Sequence, residues 1–454
     1  MGEFVSLLRL ISANLCFSLC SKKNKELPQR FHGGFTESYR GLQKRSTIAG
    51  SEIKITFTYQ FINQMKRIYY SIFIISIFIT SSVSYSDREP PIPGADQIDL
   101  YKGLLEEKSI AVVANQTSMV GQIHLVDTLL ATGINIKVIF APEHGFRDLA
   151  DAGTKIENSK DPETGISIIS LYGKHLKPTP EDLSGIELVL FDIQDVGTRF
   201  YTYISTLHYV LEACAENNIK CIILDRPNPN GFYFDGNIPD TAYRSFVGMD
   251  PVPVVHGMTV GEYAQMANGE GWLKKGVKCD LTIIKCKNYT HTTLYDLPVK
   301  PSPNLPNQTS VYLYPSLCFF EGTNISLGRG TKFPFQVYGS PELPDRGFSF
   351  TPESTPGAKN PPLAGIKCYG SDLRNAIIDK LVPIPFLNLD WIISAYKDYP
   401  EKDKFFTSYF DVLAGGPVLR AQIMSGMTSR QIRITWKEGL EKFSKVREKY
   451  LLYN

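Results

Sequence analysis

The sequence predicts an open, doubly wound α/β domain over roughly residues 95–292, followed by a second domain that runs to the end of the chain. Two observations predict this class. Short runs rich in valine, isoleucine and leucine recur from Ser109 onward, and segments with helical spacing separate them. Strands of this near-continuous apolar kind belong to parallel sheets that are covered by helices on both faces.

Six segments have the pattern of buried strands. They are "SIAVVANQT" (109–117), "INIKVIFAPEHG" (134–145), "GISIISLYG" (165–173), "IELVLFDIQD" (186–195), "IKCIILDRPNPNG" (219–231) and "CDLTIIKC" (279–286). Between them, a short helix closed by Gly133 and longer amphipathic helices over 204–218 and 259–273 supply the crossovers that parallel strands need. The alternation therefore fits one twisted sheet between two helical layers.

The second domain begins after a proline-rich connector at 297–308, which reads as extended chain. It contains a glycine-rich stretch at 321–335 and a loop-rich span to about Gly365. Its last helix is predicted to start at Thr428 or Ser429, because either hydroxyl can cap the first turn.

The first 86 residues are unlike the rest of the chain. From Met65 they read as a basic pair, an apolar run of about 13 residues and three small serines, which is the layout of a secretory signal peptide. A run of that length is shorter than the roughly 20 residues that span a bilayer, so no stable membrane anchor is expected. We expect residues 65–86 to be the signal peptide, and residues 1–64 to precede the true start and to lack a fold.

An exported protein, periplasmic or extracellular, would then begin near Asp87. From there onward the chain holds 37 basic and 42 acidic residues, so the mature protein is mildly acidic. That balance predicts no nucleic-acid partner. No cofactor or metal is expected either, since the chain lacks a G-x-G-x-x-G after its first strand, a P-loop, an H-E-x-x-H and any C-x-x-C pair.

Polar side chains follow four of the predicted strands, and ligands of open α/β sheets bind beyond the carboxyl ends of the strands. These residues are Asn115, Glu143, His144, Asp192, Asp195 and Arg226. Each has a simpler interpretation: Glu143 as a turn residue, His144 as a buried histidine and Asp195 as a cap. Carboxylates, amides, arginines and abundant aromatics together favour a carbohydrate, and carboxylates are the groups that cleave glycosidic bonds.

Long, ordered motifs then carry a resemblance to a known family. They are "APEHGFR", "DAGTK", "LYG", "FDIQDVGTRFYTYISTLHYVLEACAE", "LDRPNPNG", "SFVGMDPVPVVHGMTVGEYAQMANGE", "PSPNLPN", "LYPSLCFFEGTNISLGRGT" and "KYLLY". From about Leu100 to its last residues the chain resembles the exo-β-N-acetylmuramidases of the NamZ type. The resemblance implies a glycosidase that removes N-acetylmuramic acid from the non-reducing end of peptidoglycan fragments. It also implies a Rossmann-like catalytic domain (95–292), a smaller α+β C-terminal domain (293–454) and a cleft between them.

Residue roles follow from the resemblance and from sugar chemistry. The family's glutamate falls on Glu143, which we predict to be the general acid, while His144 or Asp192 positions the sugar or the attacking water. The predicted substrate-binding residues are Asn115, Asp195, Arg199, Tyr201, Arg226, Glu321 and Arg329. N-acetylmuramic acid carries a lactyl carboxylate, and the planar arginine fork matches a carboxylate. Arg199 or Arg329 is therefore predicted to bind it.

Two other functions remain open at this point. The same cleft would suit a non-catalytic protein that binds muramyl sugars or peptides. It would also suit a hydrolase of another muropeptide bond, such as the lactyl ether or an amide. Activity on a β-N-acetylmuraminide separates these possibilities.

Overall fold

The structure is a computed structural model that describes residues 89–147, 158–376 and 385–454. All of them belong to one folded unit, Arg88–Asn454. The expected signal peptide at 65–86, the segment before it and the "DAGTK" motif lie outside the described residues.

Twelve strands are present in this part of the chain. They are β1 (Ser109–Ala114), β2 (Met119–Val120), β3 (Ile123–His124), β4 (Asn135–Ala141), β5 (Ser159–Lys160), β6 (Ser167–Ser170), β7 (Leu188–Asp192), β8 (Lys220–Leu224), β9 (Leu281–Ile284), β10 (Val337–Ser340), β11 (Ser349–Phe350) and β12 (Cys368–Asp372). All six predicted strands are confirmed, as β1, β4, β6, β7, β8 and β9.

These six strands form a parallel sheet, and the short β5 adds an antiparallel edge. Their order across the sheet is β6-β4-β1-β7-β8-β9. Counted along the chain, this is the 3-2-1-4-5-6 order of the Rossmann fold, whose strand order reverses between the first and fourth strands. The predicted doubly wound class is confirmed, and the switch point lies between the ends of β1 and β7.

Ten α-helices accompany the strands in the described ranges. They are α1 (Lys102–Leu105), α2 (Leu125–Ala131), α3 (Tyr203–Glu216), α4 (Val260–Gly269), α5 (Gln308–Leu317), α6 (Asp390–Asp398), α7 (Lys402–Phe405), α8 (Tyr409–Ala414), α9 (Val418–Met424) and α10 (Ser429–Arg447). The last helix begins as predicted, with Thr428 as its cap in a capping box with Gln431. No helix in the described residues is long and apolar enough to cross a membrane.

The sheet is buried on both faces because successive side chains of each strand point to opposite sides. In β1, Ile110 and Val112 pack into the cluster that contains α1 and α2, whereas Ala111 and Val113 pack into the cluster that contains α3 and α4. Each fully buried Val or Ile contributes about 1.5–3 kcal/mol of transfer free energy. The second cluster continues without a break into Leu317 and Phe319 of the C-terminal domain. The two domains therefore share one hydrophobic core, and this shared packing fixes the position of one domain against the other.

A small antiparallel sheet of order β10-β12-β11 distinguishes the C-terminal domain. The sequence predicted loops in most of this region. Its two longer strands pair through Gly339 and Gly370, and a Cβ at either glycine would collide with the backbone of the facing strand. The close approach requires glycine, a residue that weakens strand signals in a sequence.

Candidate active site

The turn "PEHG" directly follows β4 and presents two polar side chains to a cavity. The Gly145 N–H donates to the Pro142 carbonyl over 3.2 Å, which closes the turn. His144 has a φ of +74°, a left-handed backbone that costs a non-glycine residue about 1–2 kcal/mol. In this conformation both Glu143 and His144 line the cavity. The segment is thus a strained turn, which is frequent at functional sites.

The cavity has a volume of about 510 Å³, within the range of small-ligand sites. It is walled by both domains. The first domain contributes Glu143, His144, Tyr172, Phe200, Tyr201, Thr202, Tyr203, Ser245, Phe246 and Val247, and the second contributes Ser302, Asn304, Leu305, Tyr314, Glu321, Arg329, Phe335, Tyr409 and Val412. We call this space the catalytic cavity.

Two hydroxyl groups hold the carboxylate of Glu143. Thr202 Oγ1 donates to Glu143 Oε2 over 2.9 Å. The hydroxyl of Tyr172 also hydrogen-bonds to this carboxylate. Burial raises the pKa of Tyr172, and the neighbouring Glu143 charge raises it further, so the phenol stays protonated and remains a donor. The Glu143 side chain is therefore fixed at the end of a rigid strand.

A carboxylate–guanidinium pair lies in the wall contributed by the C-terminal domain. Arg329 Nε and Nη2 both donate to Glu321 Oε1, over 3.0 and 2.5 Å. The guanidinium also lies 5.0 Å from the centroid of the Phe335 ring. Burial alone would lower the pKa of Arg329, but the Glu321 carboxylate raises it above its ordinary value. Arg329 is therefore a fixed cation in the catalytic cavity.

The glycines around Arg329 explain how it reaches this wall. Gly328 and Gly330 have φ values of +73° and +78°, in the left-handed region that glycine adopts without steric cost. A Cβ at Gly330 would also collide with the Glu353 carbonyl. The "GRG" stretch is thus a tight turn that holds the arginine between two close backbone segments.

Aromatic rings form the floor of the catalytic cavity. The ring of Tyr201 meets those of Tyr203 and Tyr314 edge to face, at centroid distances of 4.7 and 5.7 Å. Tyr201 is buried, so it packs in the core and presents only an edge to the cavity. Tyr201 therefore belongs both to the core and to the lining of the cavity.

The structure does not bring Asp192 or Arg226 into the cavity, contrary to their predicted site roles. Arg226 Nε and Nη2 donate to the two oxygens of Asp192 over 2.6 and 2.8 Å, in a buried bidentate pair. Arg226 Nη2 also donates to the Met119 carbonyl. A carboxylate within the apolar run "LVLFDIQD" is costly to bury unless it is paired. That partner is an arginine of the same domain.

Arg199, which we predicted to bind the lactyl carboxylate, also lies outside the cavity. It is only 1% exposed, and its guanidinium donates to the carbonyls of Asn237, Val252 and Leu413. Burial lowers the pKa of Arg199. Its position between these three carbonyls makes it a structural link between distant segments, and no local sequence pattern marks those partners.

Asn115 and Asp195 are buried and do not line the cavity either. Asn115 Oδ1 accepts hydrogen bonds from the amide and hydroxyl of Thr117, and Asp195 Oδ2 accepts one from the Gly197 amide. The Thr117 hydroxyl in turn accepts from the Gln194 amide. The chain's own polar groups therefore fill the switch point between β1 and β7. The cavity opens instead beyond β4 and β6.

Fourteen of the lining residues were not among the predicted site residues, and they include Tyr172, Thr202, Tyr314, Phe335 and Tyr409. Tyr172 lies two residues after the end of β6, so its strand-end position was a usable signal. The other four come from the start or interior of helices and from a loop, far apart in the chain, where no local pattern marks them. No group of three or more metal-ligating side chains is present among the described residues.

Fold and site together define a class. A Rossmann-type sheet with a fixed glutamate after β4, aromatic walls and a paired arginine in the same cavity combines the groups that sites of carbohydrate-cleaving enzymes use.

Family comparisons agree with this class. The model described as "Exo-beta-N-acetylmuramidase NamZ, N-terminal" matches residues 110–309, and the corresponding C-terminal model matches residues 312–453. The chain belongs to the NamZ family.

Individual relatives cover most of the chain. It is 39% identical over 378 residues to the peptidoglycan beta-N-acetylmuramidase NamZ of Bacillus subtilis (strain 168), covering 78% of this chain and 89% of that protein. A crystal structure of a DUF1343 family protein from Bacteroides fragilis NCTC 9343 is 47% identical, with a TM-score of 0.74 over 81% of this chain and 99% of the other. A second such protein from the same organism is 28% identical, with a TM-score of 0.69 over 80% and 99%.

Proposed function

We propose that this protein is an exo-β-N-acetylmuramidase, a glycoside hydrolase that releases N-acetylmuramic acid from the non-reducing end of peptidoglycan fragments. The observation that carries the proposal is a single cavity that joins Glu143 at the end of β4 to the cation Arg329 of the other domain. The reaction is inferred from family membership. The residues of this cavity are suited to that reaction.

Glu143 is the proposed general acid. Cleavage of a glycosidic bond needs a proton on the leaving oxygen, and a carboxyl group in the wall of the cavity delivers it. Thr202 and Tyr172 fix the orientation of Glu143 through their hydroxyls. An acid that is already oriented needs little reorganisation when the bond breaks. His144 lines the same cavity and is proposed to position the sugar.

Arg329 is the proposed partner of the lactyl carboxylate. Its Nε and Nη2 are engaged by Glu321, while its Nη1 makes no hydrogen bond to the described residues. That nitrogen is available to a substrate oxygen. Glu321 then acts as a positioning residue that holds the guanidinium plane against the cavity wall. Of the three arginines considered from the sequence, Arg329 alone lines the cavity.

The proposed activity is tested by the first products formed from purified peptidoglycan fragments with N-acetylmuramic acid at their non-reducing ends. We expect mass spectrometry to detect free N-acetylmuramic acid and, in equal amount, the substrate shortened by that one sugar, with no fragments from internal cleavage. Binding without products would identify a sugar-binding protein. Early release of lactate or peptide would identify a hydrolase of another muropeptide bond.

We also propose that the protein is exported, because the stretch from Met65 has the layout of a signal peptide and the proposed substrate is a wall polymer. Mature protein from the native cell is expected to begin near Asp87. N-terminal sequencing checks this expectation. A stable product that retains residues 1–64 would contradict it.

A further inference from the structure

A tight turn over residues 245–248 forms part of the wall of the catalytic cavity. The Ser245 amide donates to the Gly248 carbonyl over 3.2 Å, and the Gly248 amide donates to the Ser245 carbonyl over 3.1 Å. Phe246 and Val247 lie between these two residues, and both line the cavity together with Ser245. We call this segment the wall turn. The proposed catalytic step assigns it no role.

Phe246 of the wall turn packs against Tyr172. The two ring centroids are 6.2 Å apart, and the ring of Tyr209 on α3 lies nearly parallel to that of Phe246 at 6.3 Å. Both distances fall within the range of aromatic contacts in proteins. Because the Tyr172 hydroxyl hydrogen-bonds to Glu143, the wall turn contacts a residue that orients the proposed acid.

The guanidinium of Arg244 links both ends of the wall turn to α3. Arg244 Nη2 lies 3.1 Å from His208 Nε2, and its Nε donates to Met249 Sδ over 3.3 Å. A guanidinium only donates, so His208 Nε2 is the acceptor and carries no proton. Arg244 directly precedes the wall turn and Met249 directly follows it. One side chain therefore joins the two flanks of the turn to a buried imidazole.

Asp250 fixes the other nitrogen of His208. His208 Nδ1 donates to Asp250 Oδ2 over 2.8 Å, and the Tyr263 hydroxyl of α4 donates to the same oxygen over 2.6 Å. Burial raises the pKa of Tyr263, and the charge of Asp250 raises it further, so the phenol stays a donor. His208 is fully buried and Asp250 is 2% exposed. The imidazole is thus held in one orientation between α4 and the wall turn.

Stability alone does not require this buried polar assembly. A buried polar or charged group is costly unless it is hydrogen-bonded, and well-packed apolar residues often stabilise a core as well or better. Directional hydrogen bonds instead fix a side chain in one place. Glu212 Oε2, 3.8 Å from His208 Nε2, accepts from the Lys274 amide, and Glu212 Oε1 accepts from Lys177 Nζ. His208 Nε2 is therefore left to Arg244.

We propose that His208 and Arg244 are positioning residues for the general acid: they hold the wall turn so that Phe246 keeps the Tyr172 hydroxyl on Glu143. This inference rests on the proposed function. Arg244 does not line the catalytic cavity, so its effect on the reaction must pass through the turn. The path runs from His208 through Arg244 and Phe246 to Tyr172, and it ends at the carboxyl group.

Such positioning affects the rate more than the affinity. A catalytic group that is displaced by about 1 Å can lose about 10²-fold in rate, even when the change lies far from the reacting bond. Release of the wall turn should therefore lower kcat for a disaccharide. KM should change much less, because Arg244 does not line the cavity in which the sugar binds.

The test is a double-mutant cycle between Arg244→Ala and Tyr172→Phe, which removes the hydroxyl that contacts Glu143. The Arg244 side chain is 48% exposed, so its removal leaves no cavity in the core. Arg244→Lys keeps a cationic donor for His208, and Phe246→Ala is a second variant that breaks the path at the turn itself. The matched control is Arg374→Ala, at an arginine that is 39% exposed, pairs with Asp372 and does not line the catalytic cavity.

Each variant is assayed on N-acetylmuramyl-β-1,4-N-acetylglucosamine. We expect Arg244→Ala and Phe246→Ala each to lower kcat by about 10-fold in the wild-type background. In the Tyr172→Phe background the same changes should lower kcat by less than about 2-fold, because residues that act along one path are not additive. Arg244→Lys should recover part of the loss, and Arg374→Ala should match wild type in both backgrounds.

Equal losses of kcat in the two backgrounds would overturn the proposal, because Arg244 would then act independently of the Tyr172 hydroxyl. Wild-type kcat in both Arg244→Ala and Phe246→Ala would overturn it as well. Failure of the proposed function has a different signature: the wild-type protein would leave the disaccharide intact, and the positioning role would fall with it. Wild-type turnover with additive variants rejects the positioning role alone.

Discussion

At the residue scale, the paired charges of Arg329 and Glu321 can be removed together. Replacing both by glutamine removes the fixed cation without leaving an unpaired carboxylate. We expect the double variant to lose about 10-fold or more of its affinity for N-acetylmuramic acid, because a hydrogen bond to a charged group contributes about 1.5–3 kcal/mol. Affinity for N-acetylglucosamine, which lacks the lactyl carboxylate, should change little. Competitive inhibition constants for both sugars measure the difference.

The control for this prediction is Arg346→Gln. Arg346 is an exposed arginine of the same domain that pairs with Asp398 over 2.9 Å and does not line the catalytic cavity. It should leave both inhibition constants unaltered. Equal loss of affinity for the two sugars in the double variant would show that the Arg329–Glu321 pair supports the fold and does not bind the lactyl carboxylate.

Asp195 is the buried carboxyl group whose ionisation most clearly opposes folding. Burial raises its pKa to about 7, although the amides of Gly197 and Val196 act in the opposite direction. The unfolded chain ionises this group near its ordinary value of 3.8. Between these two values the folded state holds more protons, so the wild type loses stability as pH rises from about 4 to about 7. The nearby His256, with a pKa lowered to about 3 by burial, stays neutral over this range.

We therefore expect Asp195→Asn to gain stability relative to wild type as pH rises from 4 to 7. Thermal unfolding of both proteins at several pH values measures the difference in Tm. Asparagine retains an acceptor for the Gly197 amide and cannot ionise. A Tm difference that is constant across this range would show that Asp195 does not titrate there.

Residue roles were predictable only where local sequence fixes the environment. Glu143 and His144 follow a recognisable strand at a proline, and the structure places both in the catalytic cavity. From the sequence, Arg199 and Arg329 were equally good candidates to bind the lactyl carboxylate. Its partners are carbonyls at Asn237, Val252 and Leu413, up to 214 residues away, and no local pattern encodes such distant contacts.

The buried ion pair between Asp192 and Arg226 is an interaction between elements, since it joins the end of β7 to the segment after β8. Asp192→Asn leaves a buried arginine without its counter-charge. Breaking such a pair costs about 3–5 kcal/mol. We expect a corresponding fall in the urea midpoint of unfolding, with turnover per folded molecule largely retained.

Loss of turnover in Asp192→Asn without loss of stability would contradict this structural role. That result would support the catalytic role that the sequence predicted for Asp192. Measuring unfolding and kcat on the same preparation separates the two results.

At the scale of elements, the parallel sheet was predictable because each strand is a long apolar run buried on both faces. The C-terminal sheet was not, because its strands are short and pair through Gly339 and Gly370. Glycine there satisfies a close backbone approach and carries none of the side-chain pattern by which strands are recognised.

At the scale of the whole molecule, the catalytic cavity exists because two domains share one hydrophobic core. Glu143 and Arg329 are far apart in sequence and reach one cavity only through that shared packing. Periodicity along the chain predicted the layers of the first domain. The resemblance predicted a cleft between domains, and the cavity lined by both fits that expectation. The residues that meet across it required the three-dimensional structure.

The most direct measurement of the central claim is turnover by Glu143→Gln, which keeps the side-chain shape and removes the titratable group. On an unactivated N-acetylmuramyl disaccharide we predict a loss in kcat of about 10²–10⁴-fold, the usual contribution of a general acid. The unfolding midpoint should change little. Glu106→Gln, at an exposed glutamate that pairs with Lys102 across one helical turn, is the control and should match wild type. Turnover by Glu143→Gln within a few-fold of wild type would show that Glu143 is a turn residue and that this cavity does not supply the acid.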